Sequence, residues 1–162
     1  MRTWNRRAPA IVAVSAAALV LLAAIGPVTA ATPQGVTIVS NVTFADPGEP
    51  NFGDFEASGN AVDHGLICES GTFVDTGIRF AGFQSGRGEV QLLVRKEFAC
   101  EGTGTFFVKL QIQADFDTGI ESFTWVVQGG TGEYAHLRGG GTGSTVPTET
   151  GNINTYVGFL LH

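Results

Sequence analysis

Two charges interrupt strand faces that are otherwise apolar, and they are the residues best placed to do chemistry. Lys96 stands among Val90, Leu92, Val94 and Phe98, and Glu121 shares a face with Phe123, Trp125 and Val127. A charge turned toward an apolar interior is costly unless it is paired or has a task, so either could orient a ligand in a mostly apolar pocket. The alternative is that each lies at a strand end and extends its charge to solvent. Tyr134 joins Lys96 and Glu121 as a third group able to orient a reacting molecule, although a bulky residue between glycines also serves simply as a core plug. Trp125, Phe123 and His136 are the companion candidates for contact with a ligand; for His136 a solvent-facing position is the competing assignment.

Other chemistries find less support. Ser85, Ser122 and Ser144 lack the nucleophile-elbow context of a hydrolase, and His64, His136 and His162 sit in no motif that specifies a base. His64 beside Asp63 reads as a surface histidine bonded to that carboxylate or to backbone. Gly130-x-Gly132-x-x-Ala135 follows an apolar strand, but Arg138 and three glycines come next, so no helix can aim its N-terminus at a phosphate. No spacing suits a metal, and neither a metal nor another cofactor is implied. Cys68 and Cys100 are the two cysteines of the chain, and in an exported protein such a pair reads as a disulfide; a thiol nucleophile or metal ligand would need partners. Asp75 with Arg79, and Arg95 with Glu97, read as solvated cross-strand charges.

The elements that must position these groups are strands. From Gly35 onward the pattern alternates with period two, and turn residues recur every ten or so positions. Val36 to Phe44 is a first strand, ended by Asp46-Pro47-Gly48-Glu49-Pro50. The second carries Phe55, Ala57, Gly59 and Ala61 on one face. The third sets Val74, Ile78 and Phe80 against Asp75 and Arg79, and the fourth holds Lys96. The fifth alternates cleanly, with Phe106, Val108, Leu110, Ile112, Ala114 and Phe116 on one face. Ile120 to Val127 is the sixth, Arg138 to Val146 a glycine-rich seventh, and Ile153, Thr155, Val157, Phe159 and Leu161 mark the last. No stretch shows a helical period. About eight strands with short turns define an all-β sandwich or closed barrel.

The stretch Phe123 to Gly141 decides between those two. A strand through Trp125 leads to Gly130-Thr131-Gly132, the aromatic Tyr134, Leu137, and Gly139 to Gly141 with Thr142. This corner resembles the signature turn of the allene oxide cyclase-like barrels, the superfamily that also holds the plant dirigent proteins, over about residues 104–161. The resemblance implies an eight-stranded antiparallel β-barrel, often a homotrimer, whose lumen binds a small, largely apolar or aromatic molecule. It further implies a cofactor-free cyclase or isomerase, or a dirigent-type guide, that acts by holding a conformation. The motif is made of glycines and one packed aromatic, so it speaks for fold rather than catalytic residues.

Residues 1–30 read as an address. Arg2, Arg6 and Arg7 precede the apolar run Ile11 to Ile25, and Val28-Thr29-Ala30 offers small residues to a signal peptidase, placing cleavage between Ala30 and Ala31. The apolar run is shorter than the roughly 20 residues of a spanning helix, so no stable membrane insertion is expected after cleavage. The mature domain is then 31–162, and the expected location is extracellular. Three of the nine basic residues leave with the leader, so six face fifteen acidic ones, a net charge of −9. Without a basic cluster, nucleic acid is excluded as a partner on electrostatic grounds. Three functions stay open: a binder of a small apolar or aromatic molecule, a cyclase or isomerase, and a structural or surface-interaction protein with a packed lumen.

Overall fold

A computed structural model describes residues 32–84, 89–115 and 120–162. The expected leader with its Ala30–Ala31 cleavage point, and Phe116 assigned to the fifth strand, lie outside the described residues. The elements in chain order are β1 (Gln34–Thr43), β2 (Phe52–Ser58), a helical turn α1 (Asn60–Asp63), β3 (Ser70–Gln84), β4 (Glu89–Cys100), β5 (Gly104–Asp115), β6 (Ile120–Gly130), a 3-10 turn (Gly132–Tyr134), β7 (Arg138–Pro147) and β8 (Gly151–Leu161). Each strand pairs antiparallel with the next, and β8 returns to β1, so eight strands close an all-β barrel without a free edge.

The two ends of the barrel differ. At one end α1, the 3-10 turn and the start of β1 meet, and the disulfide Cys68–Cys100, with Cα atoms 5.9 Å apart, ties the segment after α1 to the end of β4. Tyr134 and Leu137 are buried there. Next along the lumen lies an aromatic cluster. Phe98 stacks on Phe106 at 4.9 Å between ring centroids and meets Phe55 edge-on at 5.2 Å. Tyr156 meets Phe98, Phe123 and Trp125 edge-on at 6.0, 4.9 and 6.0 Å. These rings pack the lumen at this level, and each large buried side chain contributes about 1.5–3 kcal/mol.

The glycines of β7 make room for them. Gly141 and Gly143 stand opposite Trp125 and Phe123, and a Cβ on Gly143 would collide with the Phe123 ring. Across the next ladder, a Cβ on Gly158 would lie 2.8 Å from the Trp125 ring. The low-bulk strand is therefore the space that the β6 aromatics occupy, and the Trp125 indole N–H donates to the Thr142 carbonyl at 3.1 Å.

Three local expectations are corrected. The second strand stops at Ser58: Gly59 takes φ 103°, and Asn60–Asp63 turns helically to bury Ala61. In β3 a bulge between Asp75 and Gly77 resets the alternation, so Phe73 and Asp75 face the lumen ahead of it, and Ile78 and Phe80 pair with inward Val94 and Leu92 after it. Asp75 is thus not a solvated partner of Arg79. In β8 the inward residues are Asn154, Tyr156 and Leu160, while Ile153, Val157 and Phe159 point outward, 36, 53 and 60% exposed. Register decides this: Tyr156 opposes Ile38 and Asn154 opposes Ser40, and a shift of one residue would turn the core-filling tyrosine outward.

Candidate functional site

Above the aromatic cluster the lumen changes character. Ser40 on β1, Asp75 on β3, Lys96 on β4, Glu121 on β6, Thr145 on β7 and Asn154 on β8 form a polar layer. The ladders place them side by side, with Asp75 opposite Lys96, Glu121 opposite Thr145, Thr145 opposite Asn154 and Asn154 opposite Ser40. All but Glu121 are buried, and Glu121 is half-buried.

Lys96 and Asp75 form an ion pair with side chains only 3% and 4% exposed, and Lys96 Nζ donates to Asp75 Oδ1 at 2.6 Å. The other oxygen, Oδ2, accepts from Asn51 Nδ2 at 3.1 Å, and Asn51 Oδ1 in turn accepts the Ala45 amide at 3.3 Å. The ammonium also lies 4.4 Å from the centroid of the Phe73 ring, a cation–π contact. Burial lowers the Lys96 pKa, and the charge and hydrogen bond of Asp75 oppose that effect. Lys96 therefore does not extend to solvent as the strand-end alternative required.

Ser40 Oγ, Asn154 Oδ1 and the Tyr156 hydroxyl are buried without a hydrogen-bond partner. Burial raises the Tyr156 phenol above its ordinary pKa, and the neighbouring Ser40 and Asn154 groups pull the other way without completing hydrogen-bond geometry. Unpartnered buried polar atoms cost about 1–3 kcal/mol each, and of these three residues Asn154 lines a cavity.

The cavity occupies about 160 Å³ at this level. Val42, Leu92, Val94 and Ile112 form its apolar walls, Phe44 and Ile78 its partly exposed rim, and Asn51, Asp75, Lys96, Glu121, Thr145 and Asn154 its polar contribution. Larger depressions of about 270 Å³ beside Gln111 and Gln113, about 370 Å³ beside Val39 and Glu56, and about 280 Å³ beside Arg95 and Lys109 are bounded chiefly by outward strand side chains.

Lys96 and Glu121 thus share one cavity. Tyr134 stands at the other end, 3% exposed, its hydroxyl 2.8 Å from Thr103 Oγ1 and its ring 5.7 Å from that of Phe106. Phe123 and Trp125 belong to the packed layer and contact Tyr156. His136 is exposed at the Tyr134 end, its ring 6.2 Å from that of His162. His64 is exposed and bonds Gln34 Oε1 at 2.9 Å through Nδ1. Asp75, Asn51, Ser40, Thr145, Asn154 and Tyr156 are the site residues that sequence reasoning missed. The available signal was Ser40 and Asn154 recurring at inward spacing among bulky residues.

Among the described residues no cluster of three or more His, Cys, Asp or Glu side chains is arranged to hold a metal ion, and no helix is long and apolar enough to cross a membrane. No protein-family model matches the sequence, and no curated protein matches it significantly.

Proposed function

We propose that the chain is an exported barrel that holds a small, largely apolar or aromatic molecule in its lumen, with the polar layer orienting one polar group of that molecule. The observation that carries this reading is the cavity in which Lys96, Glu121, Asp75 and Asn154 converge within apolar walls. This is the arrangement of a ligand site: mostly apolar area for affinity and a few placed polar groups for orientation. Its volume of about 160 Å³ resembles the roughly 150 Å³ cavity that accepts benzene in an engineered core, so one ring or a short branched chain fits, and a larger molecule would project past Phe44 and Ile78.

Catalysis, where it occurs, is a cofactor-free cyclisation or isomerisation. The cavity holds a reactive conformer away from water, and Glu121 and Lys96 orient it. Membership of the allene oxide cyclase-like barrels is part of the proposal, supported by the eight-stranded closure and by the corner that packs Tyr134 against Phe106. Support for an assembly of copies comes from outward Ile153, Val157 and Phe159 on β8 with Val126 on β6 and Val39 on β1. The disulfide is consistent with export. A second reading, a structural shell, is favoured by the aromatic packing of the other half of the lumen.

Native mass spectrometry of the protein from its host's medium tests the choice. The expected result is an added small-molecule mass that organic extraction removes and that Lys96→Met and Glu121→Gln weaken. If both variants retain ligand and any turnover unchanged, the site assignment is wrong; a bare mass in every preparation favours the shell.

A further inference from the structure

We propose that Lys96 is a covalent capture site for small, uncharged aldehydes, which it binds in the lumen as a protonated imine; this rests on the lumen reading above. The chain has two lysines, and they are placed oppositely. Lys96 lines the cavity among Val42, Leu92, Val94 and Ile112 and is paired with Asp75, whereas Lys109 is half-buried on the outer face of β5, where it lines a surface depression with the exposed cations Arg79 and Arg95 and, among the described residues, no carboxylate. A lysine desolvated in an apolar pocket is the form of this side chain that attacks carbonyl carbons. Its burial weakens its hold on the third proton, in support of the geometry.

Asp75 Oδ1, 2.6 Å from Nζ and held through its other oxygen by Asn51, is positioned to carry protons between nitrogen and oxygen. The ammonium passes one proton to Asp75, and the freed amine adds to the carbonyl carbon. The carbonyl oxygen takes that proton, giving a carbinolamine. A second proton moves from nitrogen through Asp75 to the hydroxyl, which leaves as water as the C=N bond forms. The ammonium and the aldehyde become a protonated imine and water, with no oxidant or reductant. Nitrogen carries one positive charge against the Asp75 carboxylate at the start, in the carbinolamine first formed and in the product. While the proton sits on Asp75 both groups are neutral, so the buried carboxylate is never left charged and alone, the condition under which a buried pair is stable. Glu121, the other carboxylate on the cavity wall, disfavours aldehydes that carry a negative charge.

The test uses benzaldehyde, one ring and one carbonyl, with sodium cyanoborohydride to fix the imine, followed by peptide mapping of both lysines in the same molecule. Lys96 is expected to be modified about tenfold more than Lys109, the ratio that a modest binding preference gives. Toluene is expected to suppress the Lys96 adduct and leave the Lys109 adduct unchanged. Lys96→Arg, which keeps a cation against Asp75, should abolish the lumen adduct only. Equal or faster modification of Lys109 overturns the proposal and leaves Lys96 as a structural ion pair. If toluene shifts the NMR signals of Val94 and Ile112 while Lys96 stays unmodified, the covalent step falls and the lumen reading stands; if toluene does not bind either, both fall.

Discussion

Replacing Lys96 by methionine tests whether the lumen charge is paired and buried as the structure places it. Methionine retains most of the apolar stem, so the change isolates the ammonium. Asp75, 4% exposed, then keeps only Asn51 as a hydrogen-bond partner for a full negative charge. Breaking one side of such a buried pair costs about 3–5 kcal/mol, a large part of the 5–15 kcal/mol that stabilises a typical domain. Lys96→Met with Asp75→Asn removes both charges and preserves a polar partner for Asn51, and it should recover to within about 1.5 kcal/mol of the parent. Urea unfolding followed by tryptophan fluorescence at neutral pH measures both. The sign with pH is a further check. Burial lowers the Lys96 pKa, so the unfolded chain binds more protons and the parent gains stability as pH rises toward 10.5; Lys96→Met should lack that rise. A single variant within about 1 kcal/mol of the parent at neutral pH would refute the buried pair.

Tyr156→Phe removes a buried hydroxyl that has no hydrogen-bond partner, so it should be neutral or stabilising by up to about 1 kcal/mol in thermal melts. Because burial raises the folded phenol, its stabilisation is present below the unfolded pKa near 10.0 and is lost as pH rises beyond it; the phenylalanine variant should fall less steeply there. Lys96 contributes with opposite sign below 10.5, its lowered pKa making stability rise with pH, and that contribution cancels between the two proteins. Replacing both Cys68 and Cys100 by serine opens a loop with a sequence separation of 32 and should cost about 3–4 kcal/mol in urea unfolding. Gly143→Ala sets a methyl group into the Phe123 ring and should destabilise by about 1–3 kcal/mol; a loss below about 0.5 kcal/mol would mean that Phe123 does not lie across β7.

The eight strands were largely legible in the sequence because period-two alternation and turn residues are local signals, whereas the choice of a closed barrel over a sandwich rested on the resemblance of the Phe123–Gly141 corner. β5 shows this best, its inward Phe106, Val108 and Leu110 being the apolar face that the sequence displays. Where both faces of a strand carry apolar residues, alternation cannot choose between them. β8 offers Ile153, Val157 and Phe159 on one face and Tyr156 and Leu160 on the other, and only its ladder with β1 selects the second. The bulge in β3 was missed for a related reason: one inserted residue changes the parity of everything after it, and the isolated Gly77 was the local sign of it. Of the polar layer only Lys96 and Glu121 stood out in the sequence, because each breaks an apolar face. Asp75 was hidden by that bulge, reading as an outward charge until β3 is paired with β4, and Asn154 by the two apolar faces of β8. Tyr134 drew attention as an isolated aromatic between glycines, but isolation in sequence there reflects packing at a corner, with its hydroxyl on Thr103.

The most direct test of a lumen that receives small apolar molecules is an NMR titration of the protein with toluene, read through intermolecular NOEs. The account predicts contacts from the toluene ring to the methyl groups of Val42, Leu92, Val94 and Ile112, saturable and weakened by Ile112→Phe, which fills the cavity. Contacts confined to outward residues such as Val157 and Phe159, or none up to the solubility limit of toluene, would contradict it.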